Sequence, residues 1–225
     1  MDFLTTALRF FQTGGPFMIP IALVLAVGVA IALERYIYLA ITMRANRRDF
    51  DTLLPLMLQG KFKEVLAGTG ENSSAVSHIF REGLERMQST RRRQDIEYAM
   101  EEGLLEALPA IEKRTPYLAT FANIATLLGL LGTITGLIAA FTAVANADPA
   151  EKATLLSQSI SIAMNTTAFG LIVAIPLLLV HAHLQGKTIA IVESLDIAVV
   201  KFLNFVERGR VEGEAKGEAT TPPLR

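Results

Sequence analysis

Apolar residues gather into three long runs, 16–33, 115–147 and 153–186, and charge returns only between and after them. A bilayer core of ~30 Å takes about 20 helical residues to cross, so each run is long enough for one span. The second and third runs overshoot that length. At ~1.5 Å per residue each reaches ~50 Å, so part of each arm must tilt or leave the membrane. Between the first and second runs, Phe50, Leu53, Leu54, Met57 and Leu58 recur at helical spacing, and residues 68–74 break the pattern. A second helical stretch begins near Ser77. Another begins near Gln94, with Leu104, Leu108 and Ile111 in a stripe opposite Glu97, Glu101 and Glu102. This helix is expected to continue into the second span, kinked at Pro109 and Pro116.

Asp148-Pro149-Ala150-Glu151 offers an N-cap, a proline at the first helical position and a glutamate at the third. It predicts that runs two and three are arms of one hairpin, the third helix starting at this turn. Beyond Gly186, Val192, Leu195, Val199, Phe202 and Val206 follow three- and four-residue steps, the seam of a helix packing on another helix. Residues 2–12 read as a short amphipathic helix at the outer interface, ended by Gly14-Gly15-Pro16, and residues 209–225 as a disordered tail.

The expected fold is therefore all-α, an integral membrane protein with three transmembrane helices, two of them long and extending into a cytoplasmic helical bundle. Its segments are an outer amphipathic stretch at 1–15, span one at 16–41, a cytoplasmic helical domain at 42–115 and span two at 116–147. The outer turn and span three follow at 148–186, then a cytoplasmic helix at 187–208 and the tail at 209–225.

Composition agrees with a membrane protein: 51% of residues are hydrophobic. The first run is not patterned as a cleaved signal, because only Arg9 precedes it and Glu34-Arg35 stand where small residues would be needed. The absence of cysteine excludes disulfides, thiolate metal sites and thiol catalysis. Lys and Arg crowd the segment 42–114 and the C-terminal region, whereas Arg9 and Lys152 alone lie on the other side. The positive-inside rule then puts the N-terminus and the Asp148 turn outside and the C-terminus in the cytoplasm. Acidic residues nearly balance the bases of the middle segment, so no nucleic-acid surface is expected.

The second and third runs hold Asn123, Thr126, Thr133, Thr135, Ser159, Ser161, Asn165, Thr166 and Thr167, and no carboxylate accompanies them. Gly129, Gly132 and Gly136 stand about one turn apart in G-L-L-G-T-I-T-G and suit close helix packing, as does Gly170. Packing alone explains the glycines equally well. Thr133 sits between them, able to bond back within its own helix or to offer oxygen to an ion or partner. Asn165, Thr166 and Thr167 occupy nearly a full turn, and an amide is costly in hydrocarbon unless paired or wet. Their structural reading is a kinked helix with internal hydroxyl bonds; the functional reading is a pathway. Pro176 frees the carbonyl of Ile172 one turn beyond, which suits backbone lining a cavity or buried in protein. Glu34, Arg35, His181 and His183 read as interfacial. With no nucleotide loop, ligand spacing for a metal or nucleophile–base pair, neither an enzyme nor a bound cofactor is expected. For protons to cross here, a second subunit must supply the titrating group.

At these motifs the chain resembles the MotA/TolQ/ExbB family of proton-channel subunits, in its three-span ExbB/TolQ-like form. The likeness rests on A-L-E-R-Y after span one, G-L-L-G-T-I-T-G in span two and N-T-T-A-F-G-L-I-V-A-I-P in span three. The resemblance implies a homopentamer in a bacterial inner membrane, surrounding single-span partners of the ExbD/TolR/MotB kind whose aspartate carries the proton. It implies that Thr133 and Thr167 face that aspartate and that Pro176 is the family proline. Protons are the implied ion, and the adjacent hydroxyls of Thr166 and Thr167 also suit sodium. One departure stands out: Ile162 occupies the position, five before Thr167, where these relatives usually carry glutamate. That departure points toward a specialised motor, such as one for gliding, beside outer-membrane transport or Tol function. The competing reading is a non-conducting helix-bundle scaffold or assembly factor. An autonomous transporter is disfavoured, since no inverted repeat or charged substrate site is visible.

Overall fold

The computed structural model describes residues 14–70, 74–90 and 92–218, with side chains up to Gly209, and every element in it is helical. The expected helix at 2–12 lies outside the described residues, as does the end of the tail. The helices are α1 (Met18–Leu58), α2 (Phe62–Gly68), α3 (Ala75–Ser89), α4 (Arg93–Glu112), α5 (Thr115–Ala145) and α6 (Lys152–Glu218). They supply three stretches long and apolar enough to cross a membrane, within α1, α5 and α6.

The chain divides into two compact units. One holds the described part of Met1–Tyr36 with Arg114–Gln185, and the other holds Ile37–Lys113 with the rest of the chain from Gly186. We call them the span unit and the bundle unit.

In the bundle unit the core is aromatic. Phe80 of α3 has no solvent exposure, and its ring lies 6.3 Å from that of Phe50 and 5.6 Å from that of Phe202. Gly83 lets α3 approach, since a Cβ there would meet Met100 at 2.9 Å and Phe202 at 3.0 Å. The expected seam of α6 is buried at Leu195, Val199 and Phe202. On α4 the buried face is Ile96, Ala99, Met100, Gly103 and Ile111, with Leu104 and Leu108 only half-buried. The start of α3 is fixed twice. Ser74 accepts from the Ser77 N–H at 3.4 Å, and the Ser77 hydroxyl donates to Asp49 at 3.0 Å.

Three local expectations turn out differently. The α4 helix does not run on into the span; it ends at Glu112, Arg114 turns left-handed at φ 67°, and α5 starts at Thr115. Pro116 has no N–H to bond the carbonyl of Glu112, so the proline falls in the first turn of a new helix, where that N–H is not needed. At the outer turn, the Glu151 N–H donates to Asp148 O at 3.0 Å, closing a tight turn, and α6 begins only at Lys152. Finally α6 continues to Glu218, past Gly209, the expected start of the tail, as an extension of a long helix already formed.

In the span unit, α5 has 31 residues and rises ~46 Å, beyond the ~30 Å of hydrocarbon. Its Leu127, Ile134, Ile138 and Phe141 are exposed, as suits lipid or a neighbouring protein. Its opposite face is buried at Leu118, Ala122, Ala125, Gly129 and Gly132. Small residues let α6 come close here: a Cβ on Gly170 would stand 2.7 Å from Ala125 O and 3.1 Å from the Gly129 Cα. We therefore expect Gly170→Ala to destabilise the α5–α6 hairpin by about 1–3 kcal/mol, as overpacking does. Steric-trap or denaturant unfolding in micelles measures this; unchanged stability would show that the two backbones are not locked at this point.

Candidate polar site of the hairpin

Gly129, Gly132 and Gly136 of α5 face Ala163, Thr166, Thr167 and Gly170 of α6. A Cβ at Gly129 would stand 3.2 Å from the Thr167 Cα, and one at Gly136 would stand 2.9 Å from the Ala163 Cβ. Across this ridge the Thr167 hydroxyl donates to the carbonyl of Gly129 at 2.8 Å. In the α-helical ladder the same carbonyl accepts from the N–H of residue 133. Thr167 and Thr133 thus meet at one backbone carbonyl. The Thr133 hydroxyl in turn donates to Leu130 O at 2.6 Å, within its own helix. Each hydroxyl has one proton and each has given it to a carbonyl, so both present only lone pairs to anything that approaches.

The three consecutive polar residues of α6 go separate ways, as ~100° per residue requires. Thr166 is 2% exposed, and its oxygen lies 2.5 Å from Gly14 O and 3.0 Å from Ile162 O. Asn165 is half-buried and stands two residues, ~200°, from Thr167, so it belongs to another edge of the helix. Pro176, nine residues on, also lies about half a turn away from Thr167 and is exposed. The geometry therefore joins Thr133, Thr167 and the glycines in one place. It does not bring Asn165 or Pro176 there. Thr126 and Thr135 bond back to Ala122 and Leu131 in their own helix, at 3.1 and 2.9 Å.

Ile162 lies beside the segment that leads into α1, its Cγ2 3.1 Å from where a Gly15 Cβ would stand. A carboxylate at this position would enter that contact. At the other end of the spans, Glu34 pairs with Arg114 at 3.4 Å and Tyr36 stacks on His183 with centroids 6.4 Å apart. Arg35 is buried beside the exposed Glu34. The hydroxyl of Thr115 is buried and has no hydrogen-bond partner among the described residues. Sequence reasoning did not single out Gly14 or Thr115. Gly14 was visible only as a helix breaker, and nothing local announces its contact with a residue 152 positions away.

No Asp or Glu occurs between Glu112 and Asp148 or between Glu151 and Glu193, so both arms of the hairpin are carboxylate-free at every depth. Among the described residues no group of His, Cys, Asp and Glu could hold a metal ion. What the hairpin offers is a wall of oxygen acceptors on a closely packed backbone.

Comparison with known proteins bears directly on this hairpin. The sequence model of the MotA/TolQ/ExbB proton channel family matches residues 71–197, from before α3 through the spanning part of α6. An ExbB homolog for biopolymer transport from Methanothermobacter thermautotrophicus is 30% identical over 218 residues, covering 95% of this chain and 76% of that protein. The Tol-Pal system protein TolQ of Haemophilus influenzae is 31% identical over 112 residues, covering 49% of this chain and 48% of its own. A biopolymer transport protein of Synechocystis, ExbB-like 3, is 30% identical over 171 residues, covering 75% and 80%. The all-helical membrane fold, the small-residue hairpin and these matches agree: the chain belongs to the MotA/TolQ/ExbB proton channel family, as an ExbB/TolQ-like member.

Proposed function

We propose that this chain is the ring-forming subunit of an ion-driven motor, whose α5–α6 hairpin walls the path of a proton carried by another subunit. The observation that supports it most is the junction at the Gly129 carbonyl. There Thr167 and Thr133 expose oxygen lone pairs in a chain that has no carboxylate in either arm. Such a wall needs a titrating group from outside. A single-span partner of the ExbD/TolR type with an aspartate in its helix supplies it, and a pentamer of this chain surrounds two such helices. On this reading the membrane is the inner one of a bacterial envelope, and the distribution of Lys and Arg supports an N-terminus on its outer side.

The lone-pair surface also fixes the form of carboxyl it favours. Acceptors repel a carboxylate and receive the O–H of a protonated acid, so the wall holds the partner's group in its neutral state. The same oxygens suit sodium, and loss of work in sodium-free medium would identify that ion. The scaffold reading retains one point in its favour, because every hydroxyl proton at the junction is already satisfied within the hairpin.

Three variants separate these roles. Thr167→Ala, co-expressed with the partner, is expected to lower ion flux and the driven process by tenfold or more, while the oligomer still purifies intact. Normal flux in that variant would favour the scaffold. For stability the order is different. Thr167→Val removes a bond between helices and is expected to cost about 0.6–1.7 kcal/mol, whereas Thr133→Val removes only an intrahelical bond and stays within ~0.5 kcal/mol. Equal losses in unfolding measurements would contradict the interhelical bond.

Ile162→Glu tests the departure from the usual family pattern. The new carboxylate would stand next to Gly15 in a half-buried position, where an unpaired charge is costly. Reduced assembly or reduced flux is expected. Wild-type behaviour in both would mean that this position does not distinguish subtypes.

A further inference from the structure

We infer that Thr166 is a positioning residue: its hydroxyl clasps the segment leading into α1 onto α6 and thereby holds Thr167, the next residue, at its working angle. The inference rests on the reading of Thr167 as partner-facing, and its test below separates the two. Thr166 stands where three parts of the span unit meet. Its oxygen reaches the carbonyl of Gly14 at 2.5 Å, and a Cβ on Gly132 of α5 would meet its Cβ at 2.9 Å. The first turn of α1 does not use the Gly14 carbonyl, since Met18 and Ile19 donate to Gly15 and Pro16 at 3.2 and 3.4 Å. Gly14 is itself buried. Among the described residues it is Thr166 that brings a donor to this buried carbonyl.

The clasp is built to open. Thr166 has one hydroxyl proton and two acceptors in reach, Gly14 O and, at 3.0 Å, Ile162 O of its own helix. If the lead-in segment withdraws, the proton turns to Ile162 and no buried donor is orphaned. Space for such a movement exists. A cavity of about 230 Å³ lies against the clasp, lined by residues that include Pro16, Phe17, Thr135 and Ser159. Opening removes the outer support of α6 one residue before Thr167, whose hydroxyl is held on the opposite neighbour, α5. Movement outside the membrane is in this way coupled to the angle of the site residue.

The chain has no cysteine, so a Phe17→Cys background gives a single reporter on the half-buried lead-in segment. The full-length protein in native membranes would be labelled with a membrane-impermeant maleimide, with and without Thr166→Val or Thr166→Ser. Thr166→Val keeps the shape and loses the donor; it is expected to raise the labelling rate about fivefold, the effect of one lost hydrogen bond. Thr166→Ser keeps the donor and should label like the parent. In the chain without the reporter, Thr166→Val should lower coupled flux severalfold and Thr166→Ser should restore it, with the oligomer intact in both. Equal labelling of all three proteins would overturn the clasp. Faster labelling in Thr166→Val with undiminished flux would overturn the positioning role. If Thr167→Ala also retains flux, it is the motor reading that has failed, and the labelling result still decides the clasp.

Discussion

Between Gly129 and Gly170 the α5 and α6 backbones approach so closely that a Cβ on Gly170 would stand 2.7 Å from the Ala125 carbonyl. That approach makes the remaining features of the span unit attainable. A threonine hydroxyl sits on a short stem, and Thr167 can reach a backbone carbonyl of another helix only where no side chain holds the helices apart. In hydrocarbon there is no water to take the place of such a partner, so packing and polar placement cannot be separated. The glycines create the contact in which the polar groups are placed.

The bundle unit is held by a different force. Its centre is a run of aromatic and aliphatic side chains, Phe80, Phe202, Met57, Met100 and Leu195, buried as in a water-soluble helical domain, with the half-buried Phe50 against Phe80. The helices α1 and α6 contribute to both units, so one helix answers to two solvents along its length. The change is legible in α6. Through the span the exposed positions include Leu171, Ile172, Ile175 and Leu179, and farther along Glu193, Ser194 and Asp196 join exposed apolar residues such as Ile197 and Val200.

Much of this was readable from the sequence, and the boundary of what was readable has a physical origin. Spans announce themselves by length and the absence of charge, and the buried seam at Leu195, Val199 and Phe202 by its period, because both depend on the chain alone. The packing role of the glycines followed from their spacing. The break at Arg114 was half visible: Pro116 signalled trouble, but whether a helix kinks or restarts depends on what the next turn packs against. Asn165, Thr166 and Thr167 formed one cluster in sequence and three directions in space. Their divergence follows from helix geometry, yet the identity of each neighbour does not. The contact between Thr166 and Gly14 joins residues 152 positions apart, and no local pattern could supply it.

The missing carboxylate acquires a sharper meaning once the donors are counted. A hydroxyl is amphoteric until its proton is committed, and then it is an acceptor only. The protons of Thr167 and Thr133 are committed to Gly129 and Leu130, on backbone that helix geometry holds fixed. On the proposed reading, an aspartate passing this wall meets acceptors and is favoured when protonated. An ionised aspartate gains nothing from the wall and must seek water or a cation. A surface of this kind discriminates between two charge states without titrating itself. On that reading the titrating group belongs to the partner, and the hairpin acts through acceptors that do not themselves take up the proton.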